Sequence, residues 1–217
     1  MEEILQAFQK HSTSTISDAL DRLGIPGQAL GIRPLKETFR LVGRAFTAHY
    51  VPVGAEKGTV GDYIDDVEPG QVVVLDNDGR LDATVWGDIL TTVAYKRGIA
   101  GTVINGVCRD YNRSVELDYP IFACAHTMRT GKDRVQISAF NIPVSLGPAR
   151  VAPGDILVGD ADGIVVVPRQ AEAEVLRVAN EIAEAEDRIR EAVEQGMRLD
   201  EARVKYRYFQ LQRKADQ

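Results

Sequence analysis

The chain has 217 residues and a formal net charge of −6, enough length for one domain with a substantial core. Its 44% hydrophobic and 27% charged content is that of a folded globular protein and excludes wholesale disorder. The acidic balance lacks the basic footprint of a nucleic-acid partner, and no apolar run approaches the ~18 residues that a membrane span needs. Met1-Glu2-Glu3 is acidic where a secretory signal is basic, so a cytoplasmic location is expected. Cys108 and Cys124 form no CxxC pair and have no His beside them in sequence, and both are expected to be reduced core thiols.

In chain order, Ser12-Thr13-Ser14-Thr15 predicts a capped helix carrying Ile16, Ala19, Leu20 and Leu23 up to a stop at Gly24. A loop at 27–34 precedes strands at 40–53 and 71–76, the second bracketed by Pro69-Gly70 and by an Asn77-Asp78-Gly79 turn. From Gly87, residues 88–97 predict a three-turn helix with Ile89, Leu90, Val93 and Ala94 on one face, Lys96 and Arg97 in its last turn, and Gly98 as its stop. A β-branched strand at 102–105 is ended by Gly106, with a Gly-Val-Cys turn leading to Arg109. Another apolar run follows at 121–123. Strand, helix, strand implies a parallel crossover, in which the helix start and the end of the next strand share one edge of the sheet. Asp88 and the Arg109-Asp110 pair are therefore expected to meet across 20 intervening residues, at the edge where open α/β sheets bind ligands. Pro143-Val144, Val151 and strands near 153–158 and 164–167 predict a hairpin-like pair. A long helix at 171–195 ends before Gly196, and the charged stretch 197–217, with its Tyr206 to Phe209 aromatic cluster, is helix or disorder. No internal repeat is present.

The residues that could carry chemistry gather at the predicted edge. An Arg109 fork can hold a carboxylate through two parallel hydrogen bonds, and Asp110 can hold a hard cation. The backbone N–H groups from Gly87 through Ile89 to Leu90 are open donors at a helix start, suited to a substrate carboxylate. Taken singly, Arg109-Asp110 reads as a surface ion pair and Asp88 as a first-turn acid favoured by the helix dipole. Convergence is what makes them a candidate site.

A second signal lies in the C-terminal helix, where Val175, Ala179, Ile182, Glu186, Ile189 and Val193 form one apolar seam. Glu186 within it either reaches solvent, pairs with a residue such as Arg190, or is held for a purpose. Asp160-Ala161-Asp162-Gly163 is a tight turn, because no acid follows at calcium-loop spacing. His11, His49 and His126 stand singly and are expected in packing or surface roles. Dinucleotide and P-loop glycine motifs are absent. Lys36, Lys57, Lys96, Lys132 and Lys205 lie in polar or helix-end settings, so Schiff-base chemistry is not supported.

The ordered set Thr15-Ile16-Ser17-Asp18-Ala19-Leu20, Gly87-Asp88-Ile89-Leu90, Gly101 to Arg109-Asp110, Pro120 to Ala123, Pro153-Gly154-Asp155 and Gly159 to Pro168 resembles the family named for regulator of ribonuclease activity A. The resemblance runs over about 15–196. It implies an α/β fold, a swivelling β/β/α sandwich with a central mixed sheet and a long C-terminal helix, as one domain over 1–196 with the tail at 197–217. It implies a metal-dependent aldolase, active on 4-hydroxy-4-methyl-2-oxoglutarate or 4-carboxy-4-hydroxy-2-oxoadipate in the manner of aromatic degradation, with oxaloacetate decarboxylation as a side activity. A homotrimer or hexamer with sites between subunits is also implied. Carried over, the signature falls on Asp88, Arg109 and Asp110. Asp110 would anchor Mg²⁺ or Mn²⁺, Arg109 and the amides of Ile89 and Leu90 would hold the pyruvyl end, and a neighbouring subunit would supply Glu186, with Glu184 as the alternative. Arg113 stands where some members carry an acid, which bears on substrate choice. The family's name points to the rival reading, a non-catalytic regulator that binds ribonuclease E.

Overall fold

The computed structural model describes residues 2–56 and 58–208; Met1, Lys57 and the end of the tail at 209–217 lie outside the described residues. A short helix that the sequence pattern did not announce, α1 (Glu3–Phe8), comes first and buries Leu5 and Phe8. The capped helix follows as α2 (Thr13–Leu23): Ser12 Oγ accepts the Thr15 N–H at 3.2 Å, and Gly24 ends it in the left-handed region at φ 69°, where a side chain would be strained.

Among the described residues ten strands succeed it: β1 (Arg33–Pro34), β2 (Leu41–Pro52), β3 (Val72–Thr84), β4 (Gly101–Cys108), β5 (Ile121–His126), β6 (Val135–Phe140), β7 (Val144–Leu146), β8 (Ala149–Val151), β9 (Ile156–Asp160) and β10 (Gly163–Val167). The large sheet has the order β1-β5-β4-β3-β2-β9-β10, with β6 also paired to β2, while β7 and β8 make a separate hairpin. Strands β2 to β5 pair in parallel, and β1, β6, β9 and β10 join antiparallel. The sheet is therefore mixed, as the family resemblance implied.

Strand β2 belongs to both halves: residues 41–44 pair with β9 and 45–49 with β3. On one face, α1, α2 and the long helix α5 (Glu172–Glu194) cover β9 and β10, burying Ile156, Val158, Val165 and Val167. The same face over β3 to β5 packs Val73, Leu75 and Ile104 beneath Trp86 and Tyr119. The opposite face buries Val74, Val103, Leu157 and Val166 against the β7–β8 hairpin and the 29–39 segment. Alternating apolar positions on strands covered on both sides produce this three-layer arrangement.

Several local expectations need correction. Asn77-Asp78-Gly79 does not end the strand; β3 continues to Thr84 through two register shifts, re-pairing at Arg80↔Gly106 and Thr84↔Val107. The turn chemistry is real, with Asp78 at φ 53° and Gly79 at φ 67°, but it is absorbed as a bulge inside the strand. Gly106 likewise does not end β4, and Gly106-Val107-Cys108 is strand rather than turn. In helix α3 (Asp88–Arg97) the buried positions are Thr91 and Ala94, and Ile89 is 74% exposed. Thr91 is buried at low cost because its hydroxyl accepts from Trp86 Nε1 and donates to Gly87 O, both at 2.9 Å. A short helix, α4 (Tyr111–Glu116), opens where the sequence suggested none. The seam of α5 holds at Val175, Ala179, Ile182 and Ile189, but Val193 is exposed and Ala192 faces inward instead. Helix α6 (Leu199–Lys205) then turns back and buries Ala202 against Ile189 and Ala192. Among the described residues no helix is long and apolar enough to cross a membrane.

Candidate active site

The crossover from β3 through α3 to β4 brings the two sequence-distant segments together. Beyond the paired strands, the Arg109 N–H donates to Trp86 O at 3.0 Å, which seats Arg109-Asp110 against Gly87-Asp88. Asp110 occupies the position before α4 with φ 58° and ψ 41°, a left-handed conformation that Asp tolerates better than most residues. Its carboxylate lies against Gly87, where an added Cβ would stand 2.8 Å from Asp110 Oδ2 and 3.3 Å from Arg109 Nε. That approach requires glycine at position 87, whose own φ of −149° is ordinary extended backbone.

Asp110 Oδ2 accepts the Asp88 N–H at 3.1 Å and lies 3.3 Å from Arg109 Nε. One open donor of the α3 start is thereby used internally. The N–H groups of Ile89 and Leu90 keep no partner in the helix, as at any helix start. Among the described residues, Asp110 Oδ1, the Asp88 carboxylate and the two terminal nitrogens of Arg109 make no hydrogen bond or ion pair. The Arg109 and Asp110 side chains are about two-fifths exposed. All of these except Asp110 line a cavity of about 240 Å³, with Trp86 and the 130–132 loop forming its far wall. Arg113 turns away from it, with Nε donating to Thr92 Oγ1 at 3.1 Å and Nη1 lying 3.3 Å from Glu116 Oε2. Its charge is thus committed between α3 and α4.

Glu186 is not brought to this cluster by its own chain. It is a quarter exposed on α5 and lies 3.6 Å from Arg190, while Glu184 is more exposed and pairs with Arg188 at 3.7 Å. Between the β9–β10 platform of α5 and strand β4 stand β2 and β3. Counting from β10 to β4 gives four inter-strand steps, about 19 Å at the usual spacing.

Cys108, next to Arg109, is not a nucleophile: burial pushes its thiol up to about 12, leaving little thiolate near neutrality. His126 stacks on Tyr111 with ring centroids 5.4 Å apart, and His11 bonds Asn180 Oδ1 at 2.8 Å. The Asp160 turn is structural, with its carboxylate capping α2 through the Thr13 N–H at 2.9 Å.

A second group, unsuspected from the sequence, joins His49, Asp76 and Asp78, whose ligand-type atoms lie within 4.8 Å of one another. The bulge in β3 produces it, and no linear spacing would have revealed it. Its carboxylates are largely committed to other partners. Asp76 Oδ1 accepts from Asn105 Nδ2 at 2.8 Å and the Asp78 N–H at 3.0 Å, and Oδ2 accepts the Ser145 N–H at 2.9 Å. Asp78 already sits 3.3 Å from Arg80 and 3.6 Å from His49. The Asp110 carboxylate, about two-fifths exposed with one oxygen uncommitted, could hold a hard divalent cation that retains much of its hydration.

The family model for RraA-like proteins, described as Aldolase/RraA, matches residues 13–166, a span that takes in the sheet and this cavity. The chain belongs to that family. It is 35% identical over 189 residues to a protein of Halalkalibacterium halodurans provisionally named 4-hydroxy-4-methyl-2-oxoglutarate aldolase, covering 87% of each. It is 38% identical over 214 residues to Protein DlpA of Legionella pneumophila; that match takes in 97% of this chain but only 35% of DlpA, so the chain spans about a third of that relative's length. A crystal structure of a protein from Pseudomonas syringae pv. tomato superposes with a TM-score of 0.87 at 41% identity, covering 94% of this chain and 98% of the other.

Proposed function

We propose that the chain is a divalent-metal-dependent aldolase that cleaves a 4-hydroxy-2-oxo di- or tricarboxylic acid to pyruvate and a second oxo acid, and that decarboxylates oxaloacetate as a side activity. The observation that carries the reading is the convergence at one cavity of the unpartnered Asp88 carboxylate, the terminal nitrogens of Arg109 and the open amides of a helix start, with Asp110 beside it keeping one oxygen uncommitted. The amides of Ile89 and Leu90 would receive the C1 carboxylate, since a helix N-terminus favours an anion. Arg109 would donate from its terminal nitrogens to the 2-oxo oxygen, where negative charge grows as the C3–C4 bond breaks. Asp88, or a water oriented by Glu186 of a neighbouring subunit, would take the proton from the C4 hydroxyl, and a proton would return to C3 of the departing pyruvate. The pair of electrons from the broken bond stays on the pyruvyl fragment, so a single apparatus serves both the aldol and oxaloacetate, from which CO₂ leaves instead. Asp110, through its uncommitted oxygen and intervening water, would hold the Mg²⁺ or Mn²⁺. When bound there, the ion supplies Lewis-acid polarisation of the 2-oxo group.

Because Glu186 lies far from this edge in its own chain, its role belongs to an assembled trimer or hexamer, in which a neighbouring α5 would bring it to the cavity. Pyruvate release from oxaloacetate and from 4-carboxy-4-hydroxy-2-oxoadipate, with Mg²⁺ or with EDTA, tests the reading. Turnover is expected to require the metal and to be lost in Asp110→Ala and Arg109→Ala. Full metal-dependent turnover in Asp110→Ala would refute the metal assignment. Silence of the folded parent on every 2-oxo acid would favour the ribonuclease-binding regulator.

A further inference from the structure

The cavity carries a second cation that the roles above leave unused. Lys132 lines it together with Arg109 and Asp88. The loop that bears Lys132 is clamped to the end of β3. The Thr84 N–H donates to Arg129 O at 3.1 Å, Thr84 bridges to Thr130, and Gly131 packs so closely on the Thr84 carbonyl that a Cβ there would collide with it. From the other side, Arg134 Nη1 donates to the carbonyls of Thr130 and Lys132 at 3.1 and 3.3 Å, and the Lys132 N–H donates to Thr130 Oγ1 at 3.2 Å. The backbone at position 132 is thus fixed against the cavity. Among the described residues the Lys132 ammonium has neither an ion-pair nor a hydrogen-bond partner. Arg109, whose Nε lies 3.3 Å from Asp110, is assigned above to the 2-oxo oxygen, and the helix amides to the C1 carboxylate. Lys132 is an exposed residue of the cavity's lining, and with Asp88 assigned to the C4 hydroxyl its ammonium is the charge left without an assigned partner.

We infer that Lys132 is the specificity residue of this site and binds the distal carboxylate of the substrate, selecting dicarboxylic over monocarboxylic 2-oxo acids. The inference rests on the lyase reading for its reaction but not for its binding chemistry. Lys132 is exposed in the free chain, and a distal carboxylate bound at the cavity makes a charge-assisted contact with it that an analogue lacking the acceptor cannot make. The competing arrangement is an ion pair between Lys132 and Glu186 of a neighbouring subunit, which would leave no distal selectivity to the lysine.

The test compares the parent with Lys132→Gln on two aldols that differ only at the distal group, 4-hydroxy-4-methyl-2-oxoglutarate and 4-hydroxy-4-methyl-2-oxopentanoate. The ratio of kcat/KM for the diacid over the monoacid is expected to fall about 10- to 100-fold in Lys132→Gln, the range set by a hydrogen bond to a charged group, and to recover in part in Lys132→Arg. An unaltered ratio, or an equal loss on both aldols, overturns the assignment. A second arm needs no turnover. Trp86 is the chain's single tryptophan and lines the cavity, so its fluorescence can report binding of 2-oxoglutarate against 2-oxopentanoate. A diacid preference that falls by a similar factor in Lys132→Gln supports the lysine's role even where neither aldol is cleaved, and the lyase reading then fails alone. A parent that shows no diacid preference in binding or turnover overturns the proposal.

Discussion

Replacing Gly87 by Ala isolates what the close approach at the candidate site contributes. The backbone at 87 is extended, φ −149° and ψ −168°, so alanine introduces no conformational strain. The whole perturbation is a methyl group placed 2.8 Å from Asp110 Oδ2 and 3.3 Å from Arg109 Nε. Asp110 has a short side chain on a left-handed backbone, so its carboxylate must rotate or shift by several tenths of an ångström, abandoning the 3.1 Å bond from the Asp88 N–H. Because that bond is partly exposed, its loss with the accompanying off-rotamer cost comes to about 1 kcal/mol. In a chain of this size that is roughly 2–4 °C in Tm. Catalysis should suffer far more, since a displacement of this order at the reacting geometry costs on the order of 100-fold. Coupled pyruvate assays on oxaloacetate with saturating Mg²⁺ give the rate, and thermal denaturation gives the stability. Parental kcat/KM in a folded Gly87→Ala protein would refute the argument that Asp110 works from this seat.

Three further outcomes follow from other parts of the molecule. Asp76→Leu orphans the Asn105 amide and the Ser145 N–H and should cost about 3–5 kcal/mol; denaturant titrations check it, and an equal destabilisation of the parent by EDTA alone would make the His49, Asp76 and Asp78 group a metal site instead. Glu2 has its carboxyl held below the ordinary 4.5 by hydrogen bonding and charge from Arg44. A depressed folded value stabilises above the unfolded one and is lost as pH falls through it, so amide protection in α1 should drop on acidification from about pH 5 to below 4. Arg44→Met should remove that pH dependence. Alkylation at mildly alkaline pH should label the partly exposed Cys124 and spare the buried Cys108, whose thiol burial raises to about 12; labelling of Cys108 in the folded state would contradict the burial assigned to it.

Much of the scaffold could be read directly because its signals are local. Ser12 and Gly24 bracket α2, Gly87 and Gly98 bracket α3, and the alternation or continuity of Val and Ile residues marks the central strands. The meeting of Asp88 with Arg109-Asp110 was legible too, through the handedness and edge geometry of a parallel crossover. What escaped depends on contacts that the linear pattern does not encode. Ile89 belongs by periodicity to the apolar face of α3, yet the Trp86–Thr91 bond rotates that helix so that a threonine is buried and the isoleucine is exposed. Asn77-Asp78-Gly79 has the chemistry of a chain reversal, but pairing with Gly106 and Val107 recaptures the strand and turns the expected turn into a bulge. The His49 and Asp76 contact across β2 and β3 depends on register, and the unpartnered state of Lys132 depends on the whole surrounding surface. Neither has a sequence signature.

Strand β2 is the splice between the two halves of the sheet, hydrogen-bonded to β9 through its first residues and to β3 through its later ones. Neither ladder can open without baring an edge of the other, so the helix-bearing half and the cavity-bearing half form one cooperative unit rather than two that could fray separately. In an assembly of the kind proposed above, where a neighbour's α5 would complete the cavity, that continuity would make each protomer a rigid strut, and the twist of its sheet would carry over into how it presents its helix to the next site.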